Sequence, residues 1–294
     1  MFMEYVLKHG ALRAVAESFG AELISFKDAD HREYIWQGDP NYWGGRNPNL
    51  FPIVGGLKDG TVLIDGIPYH MNRHGFARNS QFYVVDQNEN RIVFQLHESE
   101  STLQVYPFHF DLKIIHELEE NGFTTRFEVA NPGDVALPFC LGGHTAFRCP
   151  MKDGEQFHDY RIRFDSLEDE WALYPTSTGC LDPRTKIRCL QDRDTLPLNH
   201  DVFAKVDTLI FEGTNSTGVS LLGPDGHGVH MDFEGFPMVA FWTAGTKQAP
   251  FICLEPWHGC APFAGESGEF TDKAYCLTLQ PGENISLQYT VKLI

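Results

Sequence analysis

Apolar and polar residues alternate in short runs along most of this chain, and turn-forming residues separate the runs. Side chains of a β-strand point to opposite faces in turn, so period-two runs of this kind mark half-buried strands. Segments 4–8 and 11–16 flank His9-Gly10 and read as a hairpin. Segments 61–64 and 67–70 flank Asp65-Gly66, a two-residue turn signal. Three more pairs follow: 81–86 with 91–96, 112–118 with 124–129, and 218–222 with 228–233, the last around Pro224-Asp225-Gly226. A strand at 160–164 and closing strands at 238–242, 251–254, 275–279 and 285–293 complete the pattern. Helical windows are short and confined to 102–106 and 202–206. The pattern predicts an all-β fold, a sandwich or barrel of many antiparallel strands. No repeat, low-complexity stretch or linker interrupts it, so residues 1–294 read as a single domain.

Five polar and aromatic segments break the alternation: 43–51, 70–78, 142–150, 196–207 and 255–262. Loops that carry chemistry on a rigid β scaffold have this character.

Composition narrows the partners. Hydrophobic residues at 42% supply a large core, while 23 Lys and Arg against 40 Asp and Glu give a net charge of −17. A surface this acidic repels nucleic-acid backbones and anionic lipid, so neither is expected as a partner. It leaves room for one phosphate held by a local arginine cluster. The opening residues show no signal-peptide pattern, and no stretch reaches the roughly 18 apolar residues of a membrane span. The seven cysteines include no C-x-x-C pair and read as reduced thiols of a cytoplasmic protein.

Three segments carry candidate chemistry. Glu255 follows the apolar run 251–254 and precedes Pro256 and Trp257. Proline is expected to end the strand there and leave the carboxylate at a sheet rim. Trp257 would desolvate that carboxylate and offer an apolar face to a sugar ring; the plainer role is a salt-bridged strand end. His144 follows Gly142-Gly143, which reads as a glycine loop presenting an imidazole able to donate a proton. A satisfied surface or core histidine would look the same. Arg46 and Asn47 in one Gly/Pro-broken segment, and Arg73, His74 and Arg78 in the next, are multi-donor side chains suited to sugar hydroxyls or a phosphate. Two solvated loops are the alternative.

No dinucleotide fingerprint, Walker A sequence, H-E-x-x-H or G-x-S-x-G occurs, so no cofactor is expected. His227 and His230 with Asp225 and Asp232 can be drawn as metal ligands. His-Gly-Val-His on a hairpin reads better as an exposed polar face, and no metal is expected.

Taken in order, GGRNPNLFPIVG (44–55), HGFAR (74–78), GGHTAF (142–147) and LEPWHG (254–259) resemble the aldose 1-epimerase (galactose mutarotase-like) family, especially its LacX-like branch. The resemblance runs from the first hairpin to the closing turn at 281–284. It implies a large antiparallel β-supersandwich with an open sugar cleft and a cofactor-independent isomerase. By it, Glu255 matches the family's base and His144 its general acid, while Arg46 and His74 match the residues that hold the substrate. A cleft aspartate is expected between the acid and base segments, with Asp207 the better match and Asp201 the fallback. The resemblance further implies activity that falls both as His144 loses its proton and as acid neutralises Glu255.

Three other functions stay open from the sequence. A hexose-6-phosphate 1-epimerase would use Arg46, Arg73 and Arg78 on the same fold. A non-catalytic carbohydrate-binding β-sandwich would use Trp43, Trp242 and Trp257 as platforms. A glycoside hydrolase would pair Glu255 with Asp207 or Glu234. The sugar is left undefined, and a monomer or a homodimer fits equally.

Overall fold

In the computed structural model, which describes residues 3–294, the alternating runs assemble into two large antiparallel sheets. The nine-stranded sheet runs in the order Thr195–Pro197, Arg161–Phe164, Gly218–Leu222, Gly228–Asp232, Asn284–Leu293, Gly122–Ala130, Asp111–Glu119, Arg91–His97 and Tyr83–Gln87. The eight-stranded sheet runs Lys186–Arg188, Trp171–Leu173, Thr208–Glu212, Met238–Trp242, Phe251–His258, Leu141–Gly143 and Asn49–Leu50, with Thr145–Arg148 also paired to Phe251–His258. Glu4–His9, Leu12–Glu17 and Glu22–Lys27 form a separate three-stranded sheet. The fold is all-β, as the alternation predicts.

Turn chemistry sets the local registers. Asp65 and Gly66 both take positive φ, 52° and 75°, and close a flush hairpin pairing Ile64 with Ile67. The two α-helices are short, Glu100–Leu103 and His200–Val206. Both begin a little before the windows read from the sequence. Among the described residues, no helix is long and apolar enough to cross a membrane.

The two faces of the eight-stranded sheet do different work. Leu209, Phe211, Val239, Phe241, Ile252 and Leu254 are buried toward the nine-stranded sheet, where Phe164 meets Phe211 and Phe241 at 4.9 and 5.8 Å. The alternate residues Thr208, Ile210, Trp242, Glu255 and Trp257 face the other way and line a cavity. One strand thus feeds core and site in turn. That is why Phe251–His258 is buried on both faces while Asn284–Leu293 alternates more and less exposed residues.

Two expectations change here. Proline does not end the strand at 254; it runs to His258, with Pro256 opposite Val239. The reason lies on the other edge. Leu254 pairs with Thr145 and Trp257 with Gly142, leaving Glu255 and Pro256 at a break in that ladder. A residue without an amide proton is tolerated at such a break. Segment 142–150 is likewise mostly strand. A side chain on Gly142 would meet the Pro256 carbonyl at 2.9 Å, and one on Gly143 would meet the Tyr289 ring at 2.7 Å. The glycines serve close packing of strands.

Candidate active site

The two halves of the broken ladder share one register, so His144 lies directly across from Glu255. Cross-strand neighbours have β-carbons about 4.5–5.5 Å apart, so their side chains meet without any loop to position them. His144 Nε2 and Glu255 Oε2 are 3.3 Å apart in the wall of a cavity of about 460 Å³. That volume falls in the range of small-molecule sites.

Burial dominates the electrostatics of the pair. Glu255 is 1% exposed, and loss of water pushes its carboxyl well above the usual range. The Trp257 indole N–H opposes this, Asp207 reinforces it, and Arg78 and Arg73 oppose it. His144 is pushed down to about 3 by burial, then by the Arg78 and Arg73 charges. Burial thus favours the uncharged form of each group, while their 3.3 Å contact lets them share a proton. Neither His144 Nδ1 nor Glu255 Oε2 makes a hydrogen bond within the protein.

Aromatic rings fix the imidazole. Trp43 stacks on it at 5.0 Å and 26°, and the rings of Trp242 and His74 approach at 5.7 and 5.6 Å, steeply inclined to it. The Trp36 indole N–H donates to the Trp43 carbonyl at 2.9 Å and pins the stacking residue. His74 receives the Gly55 amide proton on Nδ1 at 3.1 Å, so Nε2 carries the hydrogen of the neutral ring. Burial, then the neighbouring His144 imidazole and the Arg78 and Arg73 charges, hold His74 well below its ordinary value.

Asp207 caps the helix His200–Val206 in a rare γ-turn conformation, φ 65° and ψ −74°. Its carboxylate accepts the Trp242 indole N–H at 3.2 Å and the Thr208 hydroxyl at 3.0 Å. His74 also has positive φ, 67°. Strained backbone held at two cavity residues fits a ligand site. Asp201, on the first turn of the same helix, is exposed and does not line the cavity.

Of the predicted site residues, Glu255, His144, His74, Asp207, Arg78 and Trp257 line the cavity, and Arg46 and Asn47 do not. Arg46 lies against Gly38, and its charge acts on Glu17 and Glu22 of the N-terminal sheet. Asn47 is fully buried. Its Oδ1 accepts hydrogen bonds from Thr145 at 2.8 Å and Tyr289 at 3.3 Å, tying the two large sheets together beneath His144. The Thr145 hydroxyl also meets that of Tyr289 at 3.1 Å, so removing the Asn47 acceptor leaves one buried hydroxyl proton unpaired, a cost of about 1–3 kcal/mol. Asn47→Ala is accordingly expected to lose about that much stability in urea melts.

Arg73, not Arg46, is the second guanidinium at the cavity. Trp43 and Trp242 line it as well. Pro175 and Gly179 do too, from a segment with no chemical signal in the sequence. Glu234 lies outside the lining. Asp225 pairs with Lys152 at 2.9 Å and with His227, whose Nε2 meets the Tyr160 hydroxyl at 3.0 Å. Those groups, read as a polar hairpin face, tie the hairpin to segment 152–160.

A sequence model of the family described as aldose 1-epimerase matches residues 3–292. The plasmid-borne protein LacX of Lactococcus lactis is 31% identical, over 99% of this chain and the whole of that one. A galactose mutarotase related enzyme from Lactobacillus acidophilus superposes with a TM-score of 0.92 at 30% identity, covering 99% and 97% of the two chains. A galactose mutarotase-like protein from Lactobacillus casei gives 0.90 at 28%, covering 99% and 100%.

Proposed function

The chain belongs to the aldose 1-epimerase family of isomerases, which act on sugars, and from that premise we propose that it interconverts the α and β anomers of a hexopyranose. The observation that carries this reading is the Glu255–His144 contact of 3.3 Å on the wall of a sugar-sized cavity.

Anomers interconvert through the open-chain aldehyde. Opening needs a base for the C1 hydroxyl proton and an acid for the ring oxygen. A proton passing from Glu255 to His144 creates both at once, a carboxylate and an imidazolium. Arg78, Arg73 and the Trp257 N–H favour that carboxylate, and the Trp43 face favours the imidazolium. Glu255 then takes the C1 hydroxyl proton while His144 protonates the ring oxygen as the C1–O5 bond breaks. Rotation about C1–C2 exposes the other aldehyde face, and the pair recloses the ring with reversed roles. His74, Asp207 and Arg78 would hold the remaining hydroxyls. The pair ends as it began, so the chemistry calls for no metal or redox group.

One shared proton defines the active state, and this sets the pH dependence. The pair gains a second proton only as pH falls toward about 3, where the depressed imidazole titrates. It loses its single proton above the ordinary carboxylate range, because burial raises Glu255. The profile of kcat/KM is therefore expected to stay level as pH falls through 6.5 and to drop only on the alkaline side and in strong acid. Polarimetry across pH 4–9, corrected for the spontaneous reaction, checks it. An acid limb centred at an ordinary histidine value would count against the shared proton.

A second reading, a hexose 6-phosphate as substrate, is favoured by Arg73 beside Arg78 in the lining of an otherwise acidic protein. Polarimetric relaxation rates on α-glucose, α-galactose and their 6-phosphates separate the two. If phosphate is the handle, Arg73→Met is expected to raise KM for the 6-phosphate by about 10- to 100-fold, the worth of a charged hydrogen bond, and leave KM for the free sugar unchanged. Equal effects on both substrates would remove phosphate from the account.

A further inference from the structure

Cys253 is a buried thiol that the proposed chemistry does not use. It stands two residues before Glu255 on the same face of one strand, in the row that joins Trp242 to Ala146. Glu255 faces His144 across the neighbouring ladder, which sets the thiol diagonal to the imidazole. The donor atoms of His144, Cys253 and Glu255 all lie within 4.8 Å of one another.

The set is matched to one kind of ligand. Zinc takes nitrogen, oxygen and sulfur donors tetrahedrally, with bonds of about 2.0–2.1 Å to imidazole and carboxylate, which puts such a nitrogen and oxygen about 3.3 Å apart. The His144–Glu255 separation is 3.3 Å. Glu255 Oε2, the oxygen that faces His144 Nε2, is buried without a hydrogen-bond partner, although nearly all buried polar atoms in proteins have one. Thiolate adds selectivity, because calcium and magnesium prefer oxygen-only surroundings.

We infer that His144, Glu255 and Cys253 form an inhibitory site for a thiophilic divalent cation of the zinc type. The ion enters through the sugar cavity, takes three protein ligands and keeps its fourth position toward the cavity. It occupies the acid and the base together and so stops proton exchange with the sugar. The inhibitory half of this inference rests on the proposed epimerase activity; the binding half does not.

Two readouts keep the halves apart. Chelator-treated protein titrated with cobalt(II), which replaces zinc in tetrahedral sites, is expected to develop a thiolate-to-cobalt absorption band. That band should vanish in Cys253→Ala and in Cys253→Ser. In the anomer assay, zinc is expected to inhibit the wild-type protein, and Cys253→Ala is expected to need at least ten times more zinc for half inhibition while keeping its activity without zinc. Absence of the cobalt band, a band unchanged in both cysteine variants, or equal zinc sensitivity with and without Cys253 would each overturn the site. If the chain showed no epimerase activity at all, the cobalt titration would still decide the site by itself.

Discussion

Glu255→Gln is expected to lower kcat by about 100- to 10,000-fold, the usual worth of a general acid–base group, and to make the protein more stable. Both effects have one cause. The carboxyl is fully buried, and burial raises its proton affinity. Below the unfolded-state value of about 4.5, folded and unfolded chains both carry the proton and burial costs little. As pH rises above it, the unfolded chain ionises while the folded one stays neutral. Wild-type stability then falls by up to about 1.4 kcal/mol per pH unit until the folded-state value is reached. Glutamine fills the same space and never ionises. The stability gap should therefore be near zero in acid and widen through neutrality. Urea melts of the two proteins at pH 4.5, 6 and 7.5 test this, and a gap independent of pH would mean Glu255 is ionised in the resting protein. Stability given up at a site is a common companion of activity.

His144→Asn is expected to cost kcat about as much, and the double variant should be little slower than the slower single one. Acid and base act here on one proton, so removing either ends the exchange and removing both adds little. His74, the other imidazole beside His144, has its Nδ1 committed to the Gly55 amide and does not replace it. Multiplying losses in the double variant would instead point to two independent contributions.

The strands and their turns were legible because they rest on local rules. Asp65-Gly66 needs only positive φ and a flush register, and four motifs in order pointed to the family. Contacts across long sequence separations were not legible. His144 and Glu255 each looked like a loop or rim residue, since nothing near either reveals that the runs around them pair across the sheet. Pro256 read as a strand end because the break in the opposite ladder, which accommodates it, belongs to residues 143 and 144. Arg46 and Arg73 occupy equally polar, Gly- or Pro-broken segments. What separates them is the position of Glu17 and Glu22, on strands of the N-terminal sheet, beside Arg46. Asn47 was misread for the same reason: its partners Thr145 and Tyr289 lie far along the chain. The third strand, Glu22–Lys27, passed unnoticed because its burial is irregular, with Leu23 and Ile24 adjacent and both buried.

The acid–base account is tested most directly by magnetisation-exchange NMR on an equilibrated hexose, or its 6-phosphate, with catalytic amounts of protein. It follows transfer between the α and β anomeric protons with no net reaction and no coupling enzyme. Wild-type protein is expected to produce exchange well above the spontaneous rate, and Glu255→Gln to return it to nearly that rate. Exchange that persists in the folded glutamine variant, or none with wild type on either sugar form, would contradict it.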